Sequence, residues 1–171
     1  MELWDLVDKN RKPLNKTIEK GAKLNAGEYR QVVHVAIFNS EGKLLIQQRQ
    51  DFRKLYPGLW DISVGGSVIS GEDTIAAGER EVEEELGVSV SLQNERPYFT
   101  INFDGGFDDF YIIQKDLNID DLLLQAEEVK DCKWASKDEA LAMRDKGLFI
   151  PYHDSFLPFL FEIAQKRCLH K

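Results

Sequence analysis

Sulfur is scarce in this chain. Its two cysteines, Cys132 and Cys168, sit at no motif spacing among 171 residues, so neither a disulfide framework nor a zinc site is indicated. Long apolar runs are absent: none reaches the roughly 20 residues that span a bilayer, and the start MELWDLVDKN lacks the basic-then-apolar order of a signal peptide. There is no linker, internal repeat or low-complexity tract, so residues 1–171 read as one domain, long enough to bury a substantial core. Positive charge is in deficit, with 22 Lys and Arg against 30 Asp and Glu and a net charge of −8. That balance argues against nonspecific nucleic-acid binding, which needs a cationic surface. It leaves a phosphorylated small molecule open, because a bound cation reverses the local sign of the field. The expectation is a cytoplasmic protein with neither a membrane nor a nucleic acid as partner.

What is there is globular in character, 43% hydrophobic and 30% charged. Residues 2–8 read as a short strand and 9–13 as a turn. The β-branched run QVVHVAIFN (31–39) reads as a strand that returns over 43–48 after Ser40-Glu41-Gly42, a hairpin. One further strand is expected over 59–64, closed by Gly65-Gly66, and a second hairpin over 98–104 and 107–115. A strand at 128–135, a helix at 137–146 and an aromatic-rich amphipathic helix at 153–169 complete the chain. The main helix runs from Asp73 to about Leu86, with Ile75, Val82 and Leu86 on one apolar stripe and Gly87 at its end. Gly78 inside it costs about 1 kcal/mol relative to Ala, with no reason visible in the sequence. Strands interleaved with helices, joined by hairpins as well as crossovers, point to an α/β fold with a mixed sheet covered on both faces.

Five glutamates, Glu79, Glu81, Glu83, Glu84 and Glu85, crowd into seven positions of that helix. Like charges at i,i+3 and i,i+4 repel by roughly 0.2–0.5 kcal/mol per pair, so the run is either solvated or neutralised by a cation. Glu81, Glu84 and Glu85 share one face, and Mg2+ binds through a few carboxylate oxygens plus substrate phosphates. Glu79 and Glu83 read as a solvated face.

The neighbours of the run are specific: Gly66, five residues, Glu72, seven residues, Arg80-Glu81-Val82, one residue, Glu84-Glu85, one residue, Gly87-Val88. This spacing resembles the signature of the Nudix hydrolases at every defining position, over residues 66–88. The resemblance implies the Nudix α/β/α sandwich and Mg2+-dependent (or Mn2+-dependent) hydrolysis of a diphosphate linkage in a nucleoside diphosphate-type small molecule. It implies Glu84, Glu85 and the Gly65 carbonyl as metal ligands, with Glu81 a further ligand or the general base. Arg80 orients the carboxylates and Glu72 holds the loop. A homodimer is compatible with the family.

Outside the box, Glu128 precedes a strand ending near Trp134, where many relatives carry a distal acid, and reads as a base, a ligand or a surface acid. Arg49, Arg53 and Lys54 lie before Tyr56-Pro57-Gly58-Leu59-Trp60 and are candidates to grip a phosphate. His34 reads as a satisfied core residue, and the aromatics Phe99, Phe103, Phe107 and Tyr111 as core with base stacking as the alternative. NSEGKLLIQQR, YPGLWDISVGG and GED also resemble isopentenyl-diphosphate isomerase, a Nudix-fold relative. That chemistry needs a cysteine where this chain has Gly65 and histidines where it has Ser67 and Arg30. The intact box favours a hydrolase; an isomerase and a non-catalytic nucleotide-binding module are the alternatives.

Overall fold

The structure, a computed structural model, describes residues 2–168 and 170. Its centre is β3 (Arg30–Phe38), whose Val33, Val35 and Ile37 point to one face and Ala36 and Phe38 to the other. β8 (Gly106–Gln114) runs parallel to it along the whole length, from Arg30 opposite Gly106 to Phe38 opposite Gln114. β7 (Phe99–Phe103) adds to β8 antiparallel. On the other side β4 (Leu44–Arg49) meets β3 at a single register pair, Phe38 with Leu44, then splays away to pair with β9 (Val129–Ala135) and β5 (Trp60–Ile62). Into the opened wedge comes β6 (Val64–Ser67), antiparallel to the first half of β3. Parallel and antiparallel pairs coexist in one seven-stranded sheet, so the expected mixed sheet is present.

Both faces are covered. α1 (Thr74–Leu86) buries Ala77, Val82 and Leu86 against Val33, Val35, Ile37, Leu45 and Val64. α2 (Lys137–Asp145) and α3 (Phe156–Gln165) bury Ala140, Leu157, Leu160 and Phe161 against Ala36, Phe38, Ile46 and Ile112 on the opposite face. The result is the α/β/α sandwich. Gly78 gains its reason here: a Cβ on it would lie 2.9 Å from Leu92 Cδ1 and 3.2 Å from Val35 Cγ2, so the bare backbone lets α1 lie close on β3. Among the described residues no helix is long and apolar enough to cross a membrane.

Three elements differ from the sequence reading. The strand expected over 59–64 is two, because the chain changes partner at Ser63, leaving β4 after Ile62 and joining β3 at Val64. Ser63, fully buried, spans the fork: its hydroxyl donates to the Leu45 carbonyl (2.7 Å) and accepts the Ile37 N–H (2.8 Å). β2 (Pro13–Glu19) was not anticipated, since PLNKTIE shows no apolar alternation and is exposed apart from a half-buried Ile18. It is held by its ladder to β1 (Leu3–Val7), whose Trp4, Leu6 and Val7 are buried. The last helix begins at Phe156, three residues later than expected, and stops at Gln165, with Lys166 extended; Leu169 lies outside the described residues.

Ser63→Ala is expected to lower stability by about 1–3 kcal/mol, because it strands a buried N–H and a buried carbonyl at once. A urea titration should show a lower midpoint at unchanged slope; a wild-type midpoint would mean that the fork closes without the hydroxyl.

Candidate active site

The turn after β6 feeds directly into α1, and local chemistry fixes both ends of that helix. Asp73 caps it by accepting the Ala76 N–H at 2.9 Å, and Gly87 ends it at φ 68° with its N–H on the Glu83 carbonyl. Between them Arg80 turns back over the loop. Its guanidinium takes Glu72 with two bonds (2.8 and 3.1 Å), Glu81 at 2.9 Å, Glu84 at 3.0 Å and the Ser67 carbonyl at 3.1 Å. One cation therefore ties the loop over 67–72 to two of the box glutamates.

The glutamates of the expected face are graded in depth. Glu85 is 2% exposed and accepts a hydrogen bond from Gln47 Nε2 at 2.8 Å. The Glu81 side chain is 14% exposed and that of Glu84, at the rim, 48%. Glu81 packs against the backbone of Gly66, where any Cβ would overlap its carboxylate. Burial pushes the Glu81 carboxyl up to about 7; Arg80 pulls the other way, while Glu84 and Glu128 add to the rise. Burial also holds Glu85 well above the usual glutamate range, against the Gln47 bond and with further push from Glu81, Glu128 and Asp61. Glu83 is exposed, but Glu79 is not a solvated acid: its carboxylate accepts the Leu92 N–H at 2.6 Å and anchors the segment after α1.

The open side is a cleft lined by Lys20, Arg30, His34, Arg49, Arg53 and Gly65–Ser67, together with Glu81 and Glu128. Of the sequence candidates, Arg49, Arg53, Gly65, Glu81 and Glu128 share this cleft, and Lys54 is exposed outside its lining. Arg49 donates to the Leu55 carbonyl at 3.1 Å and stands 3.8 Å from Asp61, and Arg53 pairs with Glu128 at 3.0 Å. His34 is not a core residue. It lines the cleft, with Nδ1 2.7 Å from Asp108 and its ring stacked on Phe110. Phe99 packs on Phe110, Phe107 and Tyr111 are buried, and Phe103 stands exposed at the edge. Lys20, and Arg30 as a cleft cation, escaped the sequence reading, as did Asp108 behind His34, because their placement depends on strand pairings that no local spacing encodes.

Among the described residues no three His, Cys, Asp or Glu side chains stand at metal-holding distance as oriented, with Arg80 occupying oxygens of Glu81 and Glu84. The donor set nevertheless fits a hard divalent cation. It is all oxygen, its two inner carboxylates are withdrawn from bulk water, and Gly66 leaves the space in which Glu81 sits.

A family model described as NUDIX domain matches residues 28–157. The chain belongs to the Nudix hydrolase family, whose members act on diphosphate bonds. This Nudix chain is 46% identical to a Nudix hydrolase of Listeria innocua, over 99% of each. It is similar to the crystal structure of a Deinococcus radiodurans protein with a TM-score of 0.72 at 26% identity, covering 99% of this chain and all of that one. A partial likeness, 36% identity over 57% of this chain and 52% of the other, extends to the isopentenyl-diphosphate Δ-isomerase of Pectobacterium atrosepticum. A Cβ on Gly65 would overlap the His34 ring, which Asp108 and Phe110 hold in place.

The raised Glu81 carboxyl makes a sign-determined prediction. The folded chain binds this proton more tightly than the unfolded chain, where the value is near 4.5, so the contribution is full below 4.5 and is lost as pH rises towards 7. In EDTA the melting temperature of wild type should fall between pH 5 and 7 relative to Glu81→Gln. Parallel curves for the two proteins would refute the shift.

Proposed function

We propose that this chain hydrolyses a diphosphate linkage in a nucleoside diphosphate-type small molecule, with Mg2+ or Mn2+ held by Glu84, Glu85 and the Gly65 carbonyl and with Glu81 as the general base. The observation that carries the reading is Glu81, a largely buried carboxylate that Arg80 holds against the Gly66 backbone, in a cleft it shares with Lys20, Arg30, Arg49 and Arg53. The cation, when bound, neutralises charge on the diphosphate oxygens and makes the phosphorus more electrophilic.

The chain's own groups do the rest. Arg80 spreads its donors over Glu72, Glu81 and Glu84, which fixes the direction of each carboxylate and lowers the repulsion among them. Gln47 holds one oxygen of Glu85, and the other would serve the cation. Water attacks phosphorus, the bridging P–O bond breaks with its electron pair leaving on the departing phosphate, and the proton of the water passes to the carboxylate of Glu81. Glu81 is placed for that task by geometry: Arg80 holds one of its oxygens at 2.9 Å and its side chain lines the cleft. Glu128 is tied by Arg53 at the cleft edge, where the pair orders the wall and the acid stands as the second candidate base.

The likeness to an isomerase favours a second reading, proton shuttling on an alkenyl diphosphate. Its acid is missing: Gly65 carries no thiol and has no room for one beside His34.

Phosphate release from a panel of nucleotides and non-nucleotide diphosphates, in Mg2+, Mn2+ or EDTA, tests the proposal. A metal-dependent signal is expected, and Glu85→Gln should lower kcat by about a hundredfold or more without unfolding the chain. A variant that turns over at the wild-type rate would remove Glu85 from the metal site. Isopentenyl diphosphate should not be converted to dimethylallyl diphosphate; clear conversion would replace hydrolysis with isomerisation.

A further inference from the structure

The cations of the cleft are unequal. Lys20 is paired with Glu2, His34 with Asp108, and Arg53 with Glu128, while Arg49 is committed to the Leu55 carbonyl and stands 3.8 Å from Asp61. Arg30 alone among them has no carboxylate within salt-bridge distance among the described residues. Its one hydrogen bond is long, from Nη1 to Ser67 Oγ at 3.5 Å. It is also half-buried, and burial pulls its pKa below the usual arginine value with only the more distant Asp108 charge opposing. A half-buried charge without a partner is costly unless something supplies one.

Its setting is a slot. The guanidinium carbon lies 4.7 Å from the Trp4 ring centre and 5.1 Å from that of Phe103. Aromatic faces attract a guanidinium and shed water from it, but they leave the N–H donors, which lie in its plane, unused. Trp4 comes from β1 and Phe103 from β7, so two elements that lack box residues converge on this one side chain. Arg30 itself sits at the first position of β3, on the cleft shared with Glu81 and the Gly65–Ser67 backbone.

We propose that Arg30 is the anion-gripping residue of this cleft, which takes the oxygens of a phosphoryl group of the diphosphate substrate on the free edge of its guanidinium. The inference rests on the reading of the cleft as the diphosphate site. Trp4 and Phe103 lie against the guanidinium and Ser67 stands at one corner, so part of the order that a phosphate needs is already present. Lysine cannot replace this function in full, because an ammonium on a flexible stem offers neither the fork nor the flat faces that the two rings clasp. Arg30 touches the substrate away from the attacking water, so its contribution is equal in ground and transition states.

The test is calorimetric titration of inorganic pyrophosphate into wild type, Arg30→Ala and Arg30→Lys at low salt in EDTA, followed by steady-state kinetics on the substrate found in the panel. Wild type should bind; Arg30→Ala should bind at least about tenfold more weakly, with Arg30→Lys in between. In kinetics KM should rise by a similar factor, with kcat held within about threefold. Wild type that does not bind pyrophosphate, or Arg30→Ala that binds it as wild type does, overturns the assignment. If Arg30→Ala fails to fold, Arg30→Lys decides: wild-type affinity and KM in that variant sink the proposal. Metal-dependent turnover with unchanged KM in either variant would sink Arg30 and leave the hydrolase standing. Arg30-dependent pyrophosphate binding with no turnover on any substrate would do the reverse.

Discussion

Arg80 is where the fold and the site meet. Its donors reach an acid in the loop, two acids on its own helix and the carbonyl at the end of β6, so loop, strand and helix share one guanidinium. Glutamates packed this closely on a helix repel, and inside a cleft the repulsion is screened less than in water. A planar cation with several fixed donors answers two of those charges and the loop's Glu72 at once, which a point charge on a flexible stem cannot do. The same bonds deny Glu81 and Glu84 the freedom to collapse onto each other. Everything else about the site, from the placement of Gly66 against Glu81 to the burial of Glu85, presupposes that this corner is held.

The sheet supplies the second requirement, a glycine pair at a fixed height beside the helix. β3 and β4 separate after one shared register pair, and the chain from Trp60 to Ser67 crosses the gap between them. Ser63 bridges the fork with a single hydroxyl that both donates and accepts, and two residues later the backbone arrives at Gly65 in register with His34. Gly78 works from the other side by letting α1 approach β3 closely. The distance between helix and turn is therefore set by two small residues and one buried hydroxyl, and bulk at any of these positions would widen it.

Much of this was legible in the sequence, and the reasons are local. Asp73 and Gly87 announce the ends of α1, and the glutamate spacing within it marks the face that matters. β3 declares itself by its β-branched run. What stayed hidden depends on partners distant in sequence. The break at Ser63 exists only because two strands diverge, and β2 only because β1 offers it a ladder. His34 resembled a core residue because its neighbours are apolar, yet β8 brings Asp108 to it and turns it into part of a wall. Glu79 resembled a solvated acid until the segment after the helix folded back to place the Leu92 N–H on it. Arg30 stood out only as an arginine where an isomerase would need a histidine, and its slot was hidden because it is assembled from the first strand and the seventh.

The hairpin of β1 and β2 lies before the residues matched by the family model, which start at 28, yet it is not loosely appended. Asp5 accepts hydrogen bonds from Thr17 across the hairpin and from the Ser70 hydroxyl and Gly71 N–H of the box loop, and the Leu3 carbonyl accepts the Ser70 N–H. That loop is the one Arg80 clamps to α1. Wall and floor of the cleft are thereby geared together. Asp5, which holds the loop, and Trp4, which lies against Arg30, are neighbours on one strand, so a substitution in this hairpin reaches the box loop and the basic side of the cleft together.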